Sequence, residues 1–188
     1  GSVKGGDSVE GAGQDLHVYK GKLYAIYAAG NDHVAKYSSN GTSWTAAATT
    51  PITAGLIATT VAANDDNFYA KFATINGELV AAIYDTQAST VTFFSTTDGD
   101  TWKDEAVDIP SGGGVAGLDV MTGTDGVDKL YVGTAEGVWE VDPVPATWTM
   151  QKIIPMSFHA NNCQNRIAYQ DSLWVPVGAA SDEPADIW

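Results

Sequence analysis

A seven-residue turn occurs twice in this chain, as Ser38-Ser39-Asn40-Gly41-Thr42-Ser43-Trp44 and as Thr96-Thr97-Asp98-Gly99-Asp100-Thr101-Trp102, with the two tryptophans 58 positions apart. Each residue type has a physical reason to be there. The short Asn or Asp side chain bonds the turn backbone, glycine accepts a positive φ, and the closing tryptophan is a large apolar group that must find cover. A turn of this kind joins strands, and its recurrence makes the chain an array of similar β units rather than one irregular domain.

The segments around the turns read as short antiparallel strands. Residues 16–19, the turn Lys20-Gly21, residues 23–27, residues 33–37, the turn Asn40-Gly41 and residues 43–46 make one unit of four. The order returns in 68–74, Asn76-Gly77, 79–84, 90–95, Asp98-Gly99 and Thr101-Trp102. A third copy runs through 129–133, 137–141 and 146–148, and a fourth begins at Arg166 to Tyr169 and Leu173 to Val175. Equivalent leucines at 23, 79, 130 and 173 are 56, 51 and 43 residues apart, near the roughly 40 to 50 residues of a propeller blade. No segment sustains the apolar spacing of an amphipathic helix. The expected fold is therefore all-β, a β-propeller of four-stranded antiparallel blades. One such unit cannot bury both of its faces, so the blades must stack around an axis.

About four blades are expected, at approximately 15–50, 51–109, 110–155 and an incomplete 156–188, after a glycine-rich lead-in over 1–14. The stretch 49–67 exceeds the four-strand quota, as an inserted strand or as the innermost strand of the second blade. An end in mid-blade favours a fragment of a larger propeller over a small ring closed by the amino-terminal segment.

The two turns resemble the Asp-box, or BNR repeat, of sialidase-like propellers, in which a hydroxyl residue, Asp, Gly, Thr and an aromatic residue mark the turn between the two outer strands of a blade. Asn40, Gly41, Trp44, Asp98, Gly99 and Trp102 are the matching positions, and both copies are one residue shorter than the commonest form. Trp148 keeps the aromatic without the preceding Asp-Gly. The resemblance implies a structural role for these boxes.

Charge narrows the function. Nine Lys+Arg against 23 Asp+Glu give a formal charge of -14, a field that repels nucleic acid and anionic membrane surfaces, both of which are held by basic side chains. No apolar stretch reaches the roughly 18 residues of a membrane span. The single cysteine, Cys163, allows no internal disulfide.

A sialidase site would hold its substrate carboxylate with three arginines, and Arg166 is the only one. Its plain reading is an ion pair at a strand start. A glycosidase needs two carboxylates about a sugar, and Asp98, Asp100, Asp104, Glu105, Asp108, Asp119, Asp125 and Asp128 are too many for the sequence to select a pair. Gly112 to Gly117 spells G-x-G-x-x-G, but strand-like Leu118-Asp119-Val120 follows where a dinucleotide site needs a helix. His159 and Cys163 read as core residues rather than a nucleophilic pair. No cofactor is expected. Calcium is the metal to consider, at the loop Gly123 to Asp128, although a solvated turn explains that loop as well. Asn40-Gly41-Thr42 is a glycosylation sequon that coincides with the turn box.

Aromatics supply the best binding surface. With Trp44, Trp102 and Trp148 assigned to blade packing, Trp139, Trp174 and Tyr131 remain as candidate ligand-binding residues, with Arg166 beside them. Trp174 and Tyr131 fall on expected inner strands, whose ends face the channel. The resulting expectation is a binding or scaffold module of a secreted, cell-surface or periplasmic bacterial protein that recognises a glycan or a protein, with association through an incomplete ring. The alternative is part of a glycoside hydrolase whose catalytic residues lie partly outside the chain.

Overall fold

The structure, a computed structural model, describes residues 13–29, 32–46, 70–85, 88–111, 114–134, 136–143 and 147–155, and the backbone of four short strands beyond them. All of its described elements are β. The first sheet is a meander of β1 (Gly13–Tyr19), β2 (Lys22–Ala29), β3 (Asp32–Ser38) and β4 (Thr45–Ala46). The second is β5 (Ala70–Ile75), β6 (Glu78–Asp85), β7 (Thr90–Thr96) and β8 (Lys103–Pro110). The third is β9 (Val115–Thr122), β10 (Asp128–Thr134), β11 (Gly137–Asp142) and β12 (Thr149–Ile154). Two pairs follow, β13 (Ala168–Tyr169) with β14 (Ser172–Leu173), and β15 (Pro176–Val177) with β16 (Asp186–Ile187).

Each four-stranded sheet is a propeller blade, and its first strand is the inner one: β1 packs beside β5, and β5 beside β9. The equivalent leucines fix the correspondence between blades. Leu23 pairs with Val18, Leu79 with Thr74 and Leu130 with Val120, so all three leucines lie on second strands. Equivalent inner positions are then Asp15, Lys71 and Gly117, followed two residues on by His17, Ala73 and Asp119.

The middle blade shows why its sequence does not alternate between apolar and polar. Leu79, Ala81, Ile83 and Phe94 face the first blade, against Tyr19, Tyr24, Ile26 and Ala35. Val80, Ala82, Tyr84 and Phe93 face the third, against Val115, Leu130, Val132, Val141 and Trp148. Every residue from Leu79 to Tyr84 is buried, as expected of a sheet covered on both faces. At about 1.5 to 3 kcal/mol per large apolar side chain removed from water, these two interfaces are the main source of stability.

Two blade connections are two-residue hairpin turns, Lys20-Gly21 and Asn76-Gly77, with both residues of each at positive φ, the backbone twist that suits adjoining strands. The first hairpin also fastens blade to blade. Tyr19 Oη donates to the Gly77 carbonyl at 2.6 Å and lies 3.0 Å from that of Thr97, while Lys20 Nζ donates to Thr97 at 2.6 Å.

Three sequence expectations shift. The third copy begins not at Lys129 but at β9, which contains Leu118-Asp119-Val120. The outer strands begin just after Trp102 and Trp148 rather than at them, because those indoles turn out of the ladder to pack against blade faces. Tyr131 lies on the second strand of its blade, one strand away from the axis. The stretch 49–67, Arg166, Trp174, His159 and Cys163 lie outside the described residues.

Candidate functional site

The inner strands line a shared axial cavity of about 360 Å³ with residues that include several polar ones. Strand β1 contributes Asp15, Leu16 and His17, β5 contributes Lys71, Phe72, Ala73 and Thr74, and β9 contributes the run from Ala116 to Val120, including Asp119. Alternation along a strand puts residues 15 and 17 on one side of β1, so a carboxylate and an imidazole reach the same space.

Asp15 and His17 are held from the neighbouring blade. Asp15 Oδ2 accepts the Phe72 backbone N–H at 2.7 Å, and His17 Nε2 lies 2.8 Å from Thr74 Oγ1. The His17 ring also tilts against Phe72, with centroids 6.4 Å apart. Burial pushes the His17 pKa down, partly offset by the negative charge of Asp15. The imidazole is therefore mainly neutral at neutral pH, able to donate one hydrogen bond and accept another. Asp119 is among the residues of the third blade that line the cavity, and its Oδ1 accepts the N–H of Val120 at 2.9 Å.

The combination of two carboxylates, an imidazole, an ammonium and a hydroxyl with the apolar faces of Leu16, Phe72 and Leu118 can pair with a ligand that carries both hydroxyls and C–H faces. Of these residues the sequence singled out only Asp119, and then among eight acids. Asp15, His17, Lys71 and Thr74 escaped it. The available signal was the leucine register, which places 15 level with 71 and 17 level with 119.

The candidate aromatics sit elsewhere. Tyr131 is buried and donates its hydroxyl to Glu140 at 2.9 Å. Glu140 also accepts from Lys129 at 3.2 Å and from Gln151 at 2.8 Å, and Lys129 pairs with Asp125 at 3.0 Å. Burial, followed by the bond to Glu140, pushes the Tyr131 phenol up to about 12. Trp139 packs against the core between the second and third blades, with the Lys152 ammonium 4.8 Å from its ring centre. Neither aromatic lines the axial cavity.

The turn boxes sit between the two outer strands of the first and second blades, with matching hydrogen bonds. Asn40 Oδ1 accepts the N–H groups of Thr42 and Ser43, and Ser38 Oγ accepts that of Gly41. Asp98 Oδ1 accepts from Asp100 and Thr101, and Thr96 Oγ1 accepts from Gly99. Trp102 is buried against Phe72, with ring centres 6.1 Å apart, whereas Trp44 is only half-buried.

Donation from Thr101, then Asp100 and the Thr96 hydroxyl, holds the Asp98 carboxyl well below the usual carboxylate range. A depressed folded-state pKa gives stability that is complete above the unfolded value, near 4, and is lost as pH falls through the folded one. Asp98→Asn, which copies the working Asn40 turn, is expected to flatten this acid-limb decline. Denaturant midpoints measured from neutral to strongly acidic pH check it, and an unchanged slope would remove Asp98 as a source of acid sensitivity.

In the loop Gly123 to Asp128, Asp125 is engaged by the Val127 N–H and by Lys129, and Asp128 by the Thr122 hydroxyl. Among the described residues no group of three His, Cys, Asp or Glu side chains is arranged to hold a metal ion.

No protein-family model matches the sequence, and no curated protein matches it. Among solved structures the chain is similar to native arabinanase Arb43A of Bacillus subtilis, at 13% identity and a TM-score of 0.45 over 80% of this chain and 58% of that one. It is also similar to a bifunctional GH43-CE protein of Bacteroides eggerthii, at 11% identity and a TM-score of 0.43 over 90% of this chain and 27% of that one. The chain spans less than two thirds of either length.

Proposed function

We propose that these blades form a carbohydrate-binding module of a secreted or cell-surface protein and that the glycan enters the axial cavity. The observation that carries this reading is the convergence of Asp15, His17, Lys71, Thr74 and Asp119, from three separate strands, on one cavity with apolar wall segments. A sugar needs donors and acceptors for its hydroxyls and apolar surface for its C–H faces, and this wall offers both. The acidic composition, rich in Ser, Thr, Gly and Trp, supports an extracellular setting.

Asp15→Asn keeps an oxygen to accept the Phe72 N–H, so it tests charge with little effect on the fold. Asp15→Asn and Asp119→Asn are each expected to weaken the best ligand from an oligosaccharide array by roughly tenfold or more, the cost of losing a charged hydrogen bond. Calorimetric titration measures the change. A ligand whose affinity ignores both substitutions binds elsewhere, and the reading fails.

A second reading, glycoside hydrolysis, is favoured by one feature: Asp15 and Asp119 reach the same cavity from strands on either side of β5, and glycosidases work with a carboxylate pair. Release of reducing ends from a bound oligosaccharide, abolished by either Asn variant, would make this the function.

A further inference from the structure

The β5–β6 hairpin is built on Asn76-Gly77, and the first turn box contains the same dipeptide as Asn40-Gly41. We infer that Asn76 is a spontaneous modification site, a water-driven deamidation point whose conversion loosens one hydrogen-bonded latch between the first blade and the second, and that the box protects Asn40 from the same reaction.

The chemistry needs only water and the neighbouring peptide. The Gly77 amide nitrogen, having lost its proton to hydroxide, attacks Cγ of Asn76. A new C–N bond closes a five-membered imide as the bond to the side-chain amide nitrogen breaks and ammonia leaves. Water then opens one of the two imide C–N bonds, giving aspartate or an iso-aspartate whose main chain runs through Cβ. One water is consumed, one ammonia is released and nothing is oxidised. Glycine at the following position leaves the attacking nitrogen unshielded by a side chain.

The two sites differ in what holds the asparagine. Asn40 Oδ1 accepts the N–H groups of Thr42 and Ser43, at 2.9 and 3.0 Å, and the Gly41 N–H is itself committed to Ser38 Oγ at 2.8 Å. Cγ cannot swing to the Gly41 nitrogen until these bonds break, which slows the reaction by roughly one to two orders of magnitude. Asn76 is exposed at the tip of its turn, and its side chain has no hydrogen bond to any described residue.

The position gives the reaction a consequence. The carbonyl of Gly77 receives the Tyr19 hydroxyl at 2.6 Å, a bond from the first blade to the second. An iso-aspartate at 76 inserts an extra main-chain carbon just before Gly77 and moves that carbonyl. Tyr19 Oη then keeps its contacts to the carbonyls of Thr97, at 3.0 Å, and Thr96, at 3.5 Å.

The test is timed incubation of the whole chain in warm, mildly alkaline buffer, with peptide mass mapping, isoaspartyl methyltransferase labelling and denaturation midpoints on the same samples. Asn76 is expected to convert at least roughly tenfold faster than Asn40, and the midpoint to fall as iso-aspartate accumulates. Asn76→Gly, which suits the positive φ of that turn, should hold its midpoint over the same period. Tyr19→Phe should start lower and lose less on ageing, since its latch is already absent. Equal rates at the two sites, no conversion at Asn76, or conversion without a midpoint change specific to chains that have Tyr19 would each overturn the inference.

Discussion

Replacing Gly99 by alanine is expected to lower the unfolding free energy by about 3 kcal/mol, against about 1 kcal/mol for Gly41→Ala at the equivalent position of the other box. Both glycines have a positive φ, +79° and +73°, so both substitutions carry the cost of a left-handed backbone. Gly41 has nothing within 4 Å of an added Cβ, whereas at Gly99 the new carbon would lie 1.8 Å from Tyr24 Oη and 2.6 Å from Cζ. Tyr24 has little room to retreat. It is 1% exposed and packs between Tyr19 and Tyr37, with ring centres 5.9 and 5.8 Å away. Urea denaturation of the two variants isolates this contact, and equal losses would show that Tyr24 yields freely.

The same crowding produces an alkaline signature. Burial, then the neighbouring Tyr19 and Tyr37, pushes the Tyr24 phenol up to about 12. A raised folded-state pKa gives stability that is complete below the unfolded value, near 10, and is lost as pH rises toward the folded one. Tyr24 therefore opposes unfolding up to about pH 10 and contributes less above it.

Phe93→Ala is expected to cost about 4 kcal/mol, the range for emptying a fully buried aromatic site. Phe93 is 0% exposed and lies 5.9 Å, centre to centre, from Trp148 of the next blade. Its loss opens the interface between the second and third blades rather than a void within one sheet. Leu16→Ala provides the contrast, because Leu16 is 62% exposed and should change stability by less than about 1 kcal/mol. A double variant of Phe93 and Trp148 should lose less than the sum of the single losses, since the two share one contact. Additive losses would mean that the rings stabilise their own blades independently.

The blade architecture was legible because its signals are local. Lys20-Gly21, Asn76-Gly77, Asn40-Gly41 and Asp98-Gly99 each mark a turn by backbone chemistry that depends on no distant residue, and the strands between them follow from spacing. The errors came where tertiary packing overrides local pattern. Trp102 and Trp148 look like strand residues, yet burial against a neighbouring blade draws them out of the ladder. Strand β9 directly follows a run of glycines, so the repeat pattern of the third copy becomes readable only at Lys129, although Leu118-Asp119-Val120 is strand-like and lies within the 110–155 expected for that blade.

The cavity was less legible. Trp139 and Tyr131 stand out in the sequence as large aromatics, and in the fold both are occupied by packing, Tyr131 with its hydroxyl on Glu140. Asp15, His17 and Lys71 are individually unremarkable in an acidic chain, and nothing local distinguishes them from solvated residues.

The repeated turn and the leucine spacing by themselves determined the class of fold, the four-strand unit and the hydrogen bonds within each box, because those depend on residues close in the chain. Tertiary structure alone decided that Asp15 and Asp119, more than a hundred residues apart, share a cavity, that Gly99 rather than Gly41 must stay bare, and that Tyr19 fastens one blade to the next. Each of these depends on the angle at which whole sheets stack, a property that no short stretch of sequence encodes.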